Sequence, residues 1–204
     1  MAIFFLIRHG QNDWVGKKLA GRLAGVHLNA HGVTQARRLA AGLADVPINA
    51  VFSSPLERAV ETAEPIARVQ GLSVQVFPDL LEIDFGSWQG KSLKRLQRLK
   101  VWEQVQKKPA DFSFPKGESF DEAQTRVSEG LITLSKQFEK KERVVCVAHS
   151  DVIRLTVAHF LGVPLNNFQR IRIDPASVTV LYLQDGEAFL GTINYTFSSS
   201  GFQG

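Results

Sequence analysis

Ile3-Phe4-Phe5-Leu6-Ile7-Arg8-His9-Gly10 is the stretch from which the fold can be read. Its first five residues form a short, unbroken apolar run, the pattern of a β-strand buried on both faces. A cation, an imidazole and a glycine follow at once. Open parallel sheets bind ligands beyond the carboxyl ends of their strands, so Arg8 and His9 stand where such a site is built. A guanidinium fork beside an imidazole suits gripping a phosphoryl group and attacking it, with Gly10 to turn the backbone. The run lacks a basic leader and stops too soon at Arg8 to be a signal segment.

A second run of the same kind, Arg143-Val144-Val145-Cys146-Val147-Ala148, leads straight into His149. Between the two, the pattern predicts alternating helices and strands. A helix is expected from Gly32 to Leu43 and a strand over Asn49–Phe52. Ser54 then reads as an N-cap, with Pro55 at the first helical position and Glu57 completing a capping box. That helix carries Arg58 in its first turns and holds Pro65, where a kink is expected. Ser73–Phe77 alternates like a strand, and Leu80–Gly90 is a loop carrying Glu82 and Asp84. Lys91–Lys107 reads as one basic helix whose apolar residues Leu93, Leu96, Leu99, Trp102 and Val105 fall three apart. Ser119 and Glu122 form a capping box for a helix to about Lys140. Ser150 or Asp151 caps the helix after His149. Residues 168–173, 177–184 and 187–193 read as closing strands, with a turn at Gln184–Glu187, and residues 198–204 as a frayed tail. The alternation predicts one α/β domain over residues 1–204 with a mainly parallel sheet.

Composition narrows the function. No apolar run approaches the ~20 residues a membrane helix needs. The single cysteine, Cys146, permits no internal disulfide, fits a reducing cytoplasmic setting and reads as an inert core thiol. His27, His31 and His159 show no metal-ligand spacing. The formal net charge of +4 suits small anionic substrates and is too weak to argue for nucleic acid.

Four segments resemble the histidine phosphatase superfamily, also called the phosphoglycerate mutase-like family. They are Leu6-Ile7-Arg8-His9-Gly10-Gln11, Ser53-Ser54-Pro55-Leu56-Glu57-Arg58 with the residues to Ala63, Leu81 to Gly90, and Val147-Ala148-His149-Ser150. Lys116-Gly117-Glu118-Ser119 is a weaker fifth match. The resemblance implies a three-layer sandwich with helices on both faces of the sheet. It also implies roles: His9 as nucleophile carrying a phosphoryl group, Arg8, Arg58 and His149 as phosphate grips, and Glu82 as the acid that protonates the leaving oxygen and then activates water. Asn12 and Ser150 join the candidate phosphate contacts. The chemistry is coherent, since phosphoryl transfer is mostly positioning and charge neutralisation. Two arginines and an imidazolium can supply these without a metal.

Departures from the family pattern point to hydrolysis. Val15 stands where members acting on phosphoglycerate carry asparagine, and the segment between Gly90 and Ser119 is shorter than in classical mutases. The expected activity is metal-independent phosphomonoester hydrolysis without a cofactor. The alternatives are a mutase dependent on 2,3-bisphosphoglycerate and a non-catalytic phospho-ligand module. Residues 91–118 read as a small cap, with the basic segment either a solvated face or a steering surface. The arc bearing Trp102 reads as core, substrate wall or homodimer contact. No nucleic-acid or membrane partner is expected.

Overall fold

The computed structural model describes residues 1–197, so the expected frayed tail at 198–204 lies outside the described residues. Among the described residues six strands form one sheet: β1 (Ala2–Arg8), β2 (Ala50–Ser53), β3 (Val74–Val76), β4 (Arg143–Ala148), β5 (Val178–Gln184) and β6 (Glu187–Tyr195), in the order β3-β2-β4-β1-β5-β6. β3, β2, β4 and β1 run parallel, while β5 and β6 are antiparallel additions at one side. Asp185 and Gly186 both have positive φ in the tight turn between those two, as a right-twisted hairpin requires.

The pleat decides which helices cover which face. Phe4 and Leu6 of β1, with Val144 and Cys146 of β4, pack against α5 (Phe120–Ser135) and α6 (Ser150–Phe160). Ile7, Val145 and Val147 point the other way, onto α1 (Ala30–Gly42) and α2 (Glu57–Val69). The result is three layers with both central strands buried, which is why their sequences read as continuous apolar runs. Burial pushes the Cys146 thiol pKa up, as an inert core thiol requires. A third apolar cluster, built around Trp88, Phe112, Phe114 and Phe168, lies beyond the sheet against α5 and α6. No helix among the described residues is long and apolar enough to cross a membrane.

Several local expectations give way. The basic segment is two short helices, α3 (Leu93–Leu96) and α4 (Trp102–Lys107), joined by turns. A spacing of three does not match 3.6 residues per turn, so one continuous helix would rotate its apolar residues off the core. The break restores the phase: Leu96 and Val105 are buried and Leu99 is left exposed. Residues 165–170 form a 3-10 turn instead of a strand, with Phe168 fully buried. α2 starts at Glu57 with no side-chain cap, because Ser54 is engaged elsewhere, and it runs unbroken through Pro65. α6 begins at Ser150 with His149 in the cap position, so neither Ser150 nor Asp151 caps it. α5 has its Ser119–Glu122 capping box but ends at Ser135, five residues short of the expected end, before turns that lead into β4.

Candidate active site

Register brings the site together. In the parallel ladders Arg8 lies opposite Ala148 and Ser53 opposite Val147, so the three strands end level. The residues that follow, His9, His149 and Ser54, are therefore neighbours. The two imidazole rings lie 5.3 Å apart.

His9 is anchored by one nitrogen. Its Nδ1 lies 2.7 Å from the Gly10 carbonyl oxygen, which only accepts, so Nδ1 carries the proton and Nε2 keeps its lone pair. Burial first, then Arg58 and Arg8, hold the His9 pKa well below the ordinary histidine value. The ring is thus neutral, and its Nε2 lone pair can act as a nucleophile. Gly10 is expected to turn the backbone, but it does so without a positive φ. A Cβ at Gly10 would sit 2.8 Å from the Gly32 carbonyl oxygen, so close approach of the loop to α1 is what requires glycine.

The two arginines converge on the same place from β1 and α2. Arg8 Nη1 donates to the Ile173 carbonyl at 2.7 Å, and Arg58 Nη2 to the Gly21 carbonyl at 2.8 Å. Three further nitrogens, Arg8 Nε, Arg58 Nε and Arg58 Nη1, are buried without a partner. Buried guanidinium donors are almost always satisfied. Orphans of this kind, with burial lowering both pKa values, mark the seat of an anion.

Glu82 faces the same cavity. Burial foremost, then the nearby negative charge of Asp151, raises its carboxyl to about 7 against the opposing pull of Arg58 and Arg8. It is therefore protonated over part of the neutral range and can both give and take a proton. Asp84, the other acid of the loop, accepts from the Gly86 amide at 2.8 Å and shapes the turn.

The remaining candidates divide. Asn12 lines the cavity but spends its side-chain oxygen on the amides of Trp14 and Val15. Ser150 lines it too, at the uncapped N-terminus of α6, where helix amides favour an anion. His149 is fully buried and does not line the cavity. Its Nδ1 lies 3.4 Å from Arg58 Nη2, and its Nε2 lies 2.8 Å from Ser54 Oγ. Burial and Arg58 depress its pKa as well. His149 is thus neutral and lies between Arg58 and Ser54.

Sequence reasoning missed Ser54 as the partner of His149 and Thr62 as a tie. Thr62 Oγ1 accepts from the Gly10 amide and donates to the Arg58 carbonyl. It also missed Arg22, Glu118 and Arg126, which hold the Glu82 loop. Arg22 Nε donates to the Glu82 carbonyl, while Arg126 and Arg22 both pair with Glu118. Glu118 lay within the fifth matching segment, but no spacing rule shows which loop a distant carboxylate will clamp. The described residues hold no cluster of three or more His, Cys, Asp and Glu placed to bind a metal.

At the strand ends two arginines, an anchored imidazole and a carboxyl raised to about 7 face a cavity of about 560 Å³, an arrangement able to carry out phosphoryl transfer. The chain belongs to the histidine phosphatase superfamily (branch 1), whose family description matches residues 4–196, and it is a phosphomonoester hydrolase of that family. It is 29% identical to phosphoserine phosphatase 1 of Hydrogenobacter thermophilus, over 96% of this chain and 93% of the relative. It is 29% identical to the adenosylcobalamin/alpha-ribazole phosphatase of Escherichia coli, over 93% and 94%. A solved mycobacterial glucosyl-3-phosphoglycerate phosphatase superposes with a TM-score of 0.85 at 26% identity, covering 95% of this chain and 99% of that one.

Proposed function

We propose that the chain hydrolyses small phosphomonoesters through a phosphoryl group carried on His9 Nε2. The lone pair of Nε2 attacks phosphorus while the ester bond breaks, and Glu82 gives its proton to the departing oxygen. Water then attacks the phosphohistidine, with Glu82 taking back a proton, and neutral His9 is restored. Arg8 and Arg58 bind the equatorial oxygens through the three unpartnered guanidinium nitrogens. This is the observation that carries the reading. Two guanidinium groups supply the charge neutralisation that a metal supplies elsewhere, so the reaction needs no metal and no cofactor. Residues 91–118 act as a small cap, since Leu93, Trp102, Val105 and Phe114 of this segment line the cavity. Val15 on the cavity wall disfavours a mutase. The lone buried Cys146 supports a reducing, cytoplasmic setting. The excess of basic charge serves the anionic substrate, with no nucleic-acid or membrane partner.

Rapid quenching with a phosphate-labelled ester tests the reading. Acid-labile label on the wild-type protein, absent from His9→Ala, is the expected result. Label that persists in His9→Ala, or turnover abolished by a metal chelator, contradicts it.

A further inference from the structure

The phosphoryl seat explains only part of the cavity. About 560 Å³ is room for a drug-sized molecule, far more than a phosphoryl group and a three-carbon acid need. Beyond Arg8, His9, Arg58 and Glu82 the wall offers the apolar side chains Trp14, Leu19, Trp102 and Val105, beside uncharged polar ones such as Asn12, Gln106 and Gln169. Trp102 is braced from behind. It stacks on Trp88 with ring centres 6.2 Å apart and planes 18° apart, and buried Trp88 rests on Phe112 and Phe114. A ring held in this way offers a flat surface with little freedom left to lose on binding.

The charges sort in the same direction. Arg8 and Arg58 serve the phosphoryl group. Arg154 also lines the cavity, but its Nη1 pairs with Asp151 at 2.9 Å and its Nε donates to the Ile171 carbonyl at 2.7 Å. Lys18 is exposed, its ammonium 4.8 Å from the centre of the Trp14 ring. Among the described residues of the wall, no buried cation is left for a second anionic group, and Asp151 adds a negative charge. A carboxylate beside the ester finds no buried partner there, whereas a flat uncharged ring finds the tryptophans.

We infer that the substrate is a phosphomonoester whose leaving group carries a flat, uncharged ring, seated against the wall that includes Trp14 and Trp102. The inference rests on the phosphatase reading above and deepens it to a substrate class.

The test compares kcat/KM for 2-naphthylmethyl phosphate, ethyl phosphate, phosphoserine and 3-phosphoglycerate. All four esters release alkyl alcohols, so a preference among them reports the wall more than leaving-group basicity. Burying one ring against such a surface raises kcat/KM for the naphthylmethyl ester about tenfold or more over the other three. Trp14→Ala and Trp102→Leu, both checked for native circular dichroism, each reduce the naphthylmethyl-to-ethyl ratio about threefold or more. Two variants are used because Trp102 also packs on the core, whereas half-buried Trp14 lies on a loop. Equal rates on all four esters, a preference for either carboxylate-bearing ester, or a ratio unmoved in both variants would overturn the inference and leave the phosphatase reading standing. Phosphate release from none of the four would overturn both.

Discussion

At the scale of single residues, the proposed role of Glu82 as the acid predicts the working pH. Its role as acid requires the proton it holds up to about 7, so kcat/KM falls on the alkaline side of that value. The His9 pKa lies well below the ordinary histidine range, so His9 does not set the alkaline limb. Asp151 raises the Glu82 pKa by its charge, and Asp151→Asn therefore moves the alkaline limb to lower pH. A pH profile of kcat/KM that stays put or moves upward in this variant contradicts the assignment. The same carboxyl acts on stability, and the sign follows from linkage. Its folded value, about 7, exceeds an unfolded value near 4.5. Its contribution is complete below the unfolded value, is lost as pH rises towards the folded one, and is flat above it. Full ionisation costs about 3 kcal/mol of folded stability, an order-of-magnitude figure. Denaturant midpoints should thus show Glu82→Gln gaining on the wild type between pH 5 and 8, with no such gain below pH 4. A difference independent of pH would show that Glu82 is not held protonated.

At the scale of elements, the loop that carries Glu82 is held from outside. Glu118 accepts from both Arg126 and Arg22 and from the Asp84 amide, and Arg126 Nη1 also donates to the carbonyls of Asp79 and Leu81. Burial pushes the Glu118 carboxyl up, but these partners outweigh it and hold the carboxyl below its usual value. Glu118→Gln breaks the charge pairing and costs about 2 kcal/mol, an order-of-magnitude figure. It also loosens the acid. The expected kinetic sign is selective: hydrolysis of alkyl phosphates falls at least about tenfold, while that of p-nitrophenyl phosphate, whose leaving group needs no proton, changes little. Equal losses on both esters would reduce Glu118 to a structural role. Legibility in the sequence follows the same divide between local and distant partners. The Ser119–Glu122 box was readable because both partners lie within one turn. Ser54 was misread because its hydroxyl faces His149, 95 residues away, instead of the helix amide three residues on. The basic segment was misread because its spacing of three was taken as a wide helical face when it marks a phase error that breaks the helix.

At the scale of the whole molecule, a mainly parallel sheet was legible from apolar strand runs alternating with helices, whereas the strand order β2-β4-β1 was not. What no spacing could show is that the strands end level, so that Arg8 and Arg58, 50 residues apart, face one cavity. The fold keeps this seat at its own expense. Three buried guanidinium nitrogens have no partner in the free protein, and each unmet donor of this kind costs about 1–3 kcal/mol. Arg58 is fully buried, two of the three nitrogens are its own, and α2 is otherwise packed on the sheet by small and aliphatic residues. Arg58→Met keeps most of the volume and removes the orphans together with the charge. The free variant is therefore expected to melt above the wild type, despite losing the bond to Gly21. Inorganic phosphate reverses the order. At a hundredfold excess over its Kd it stabilises the wild type by about 2.7 kcal/mol, a rise of roughly 5–10 °C in Tm for a chain of this size, and the shift persists in chelator. In Arg58→Met that rise largely disappears. If the variant melts lower without phosphate and still responds fully to it, the unpartnered nitrogens are not the seat of the phosphoryl group, and the placement of substrate over His9 fails with them.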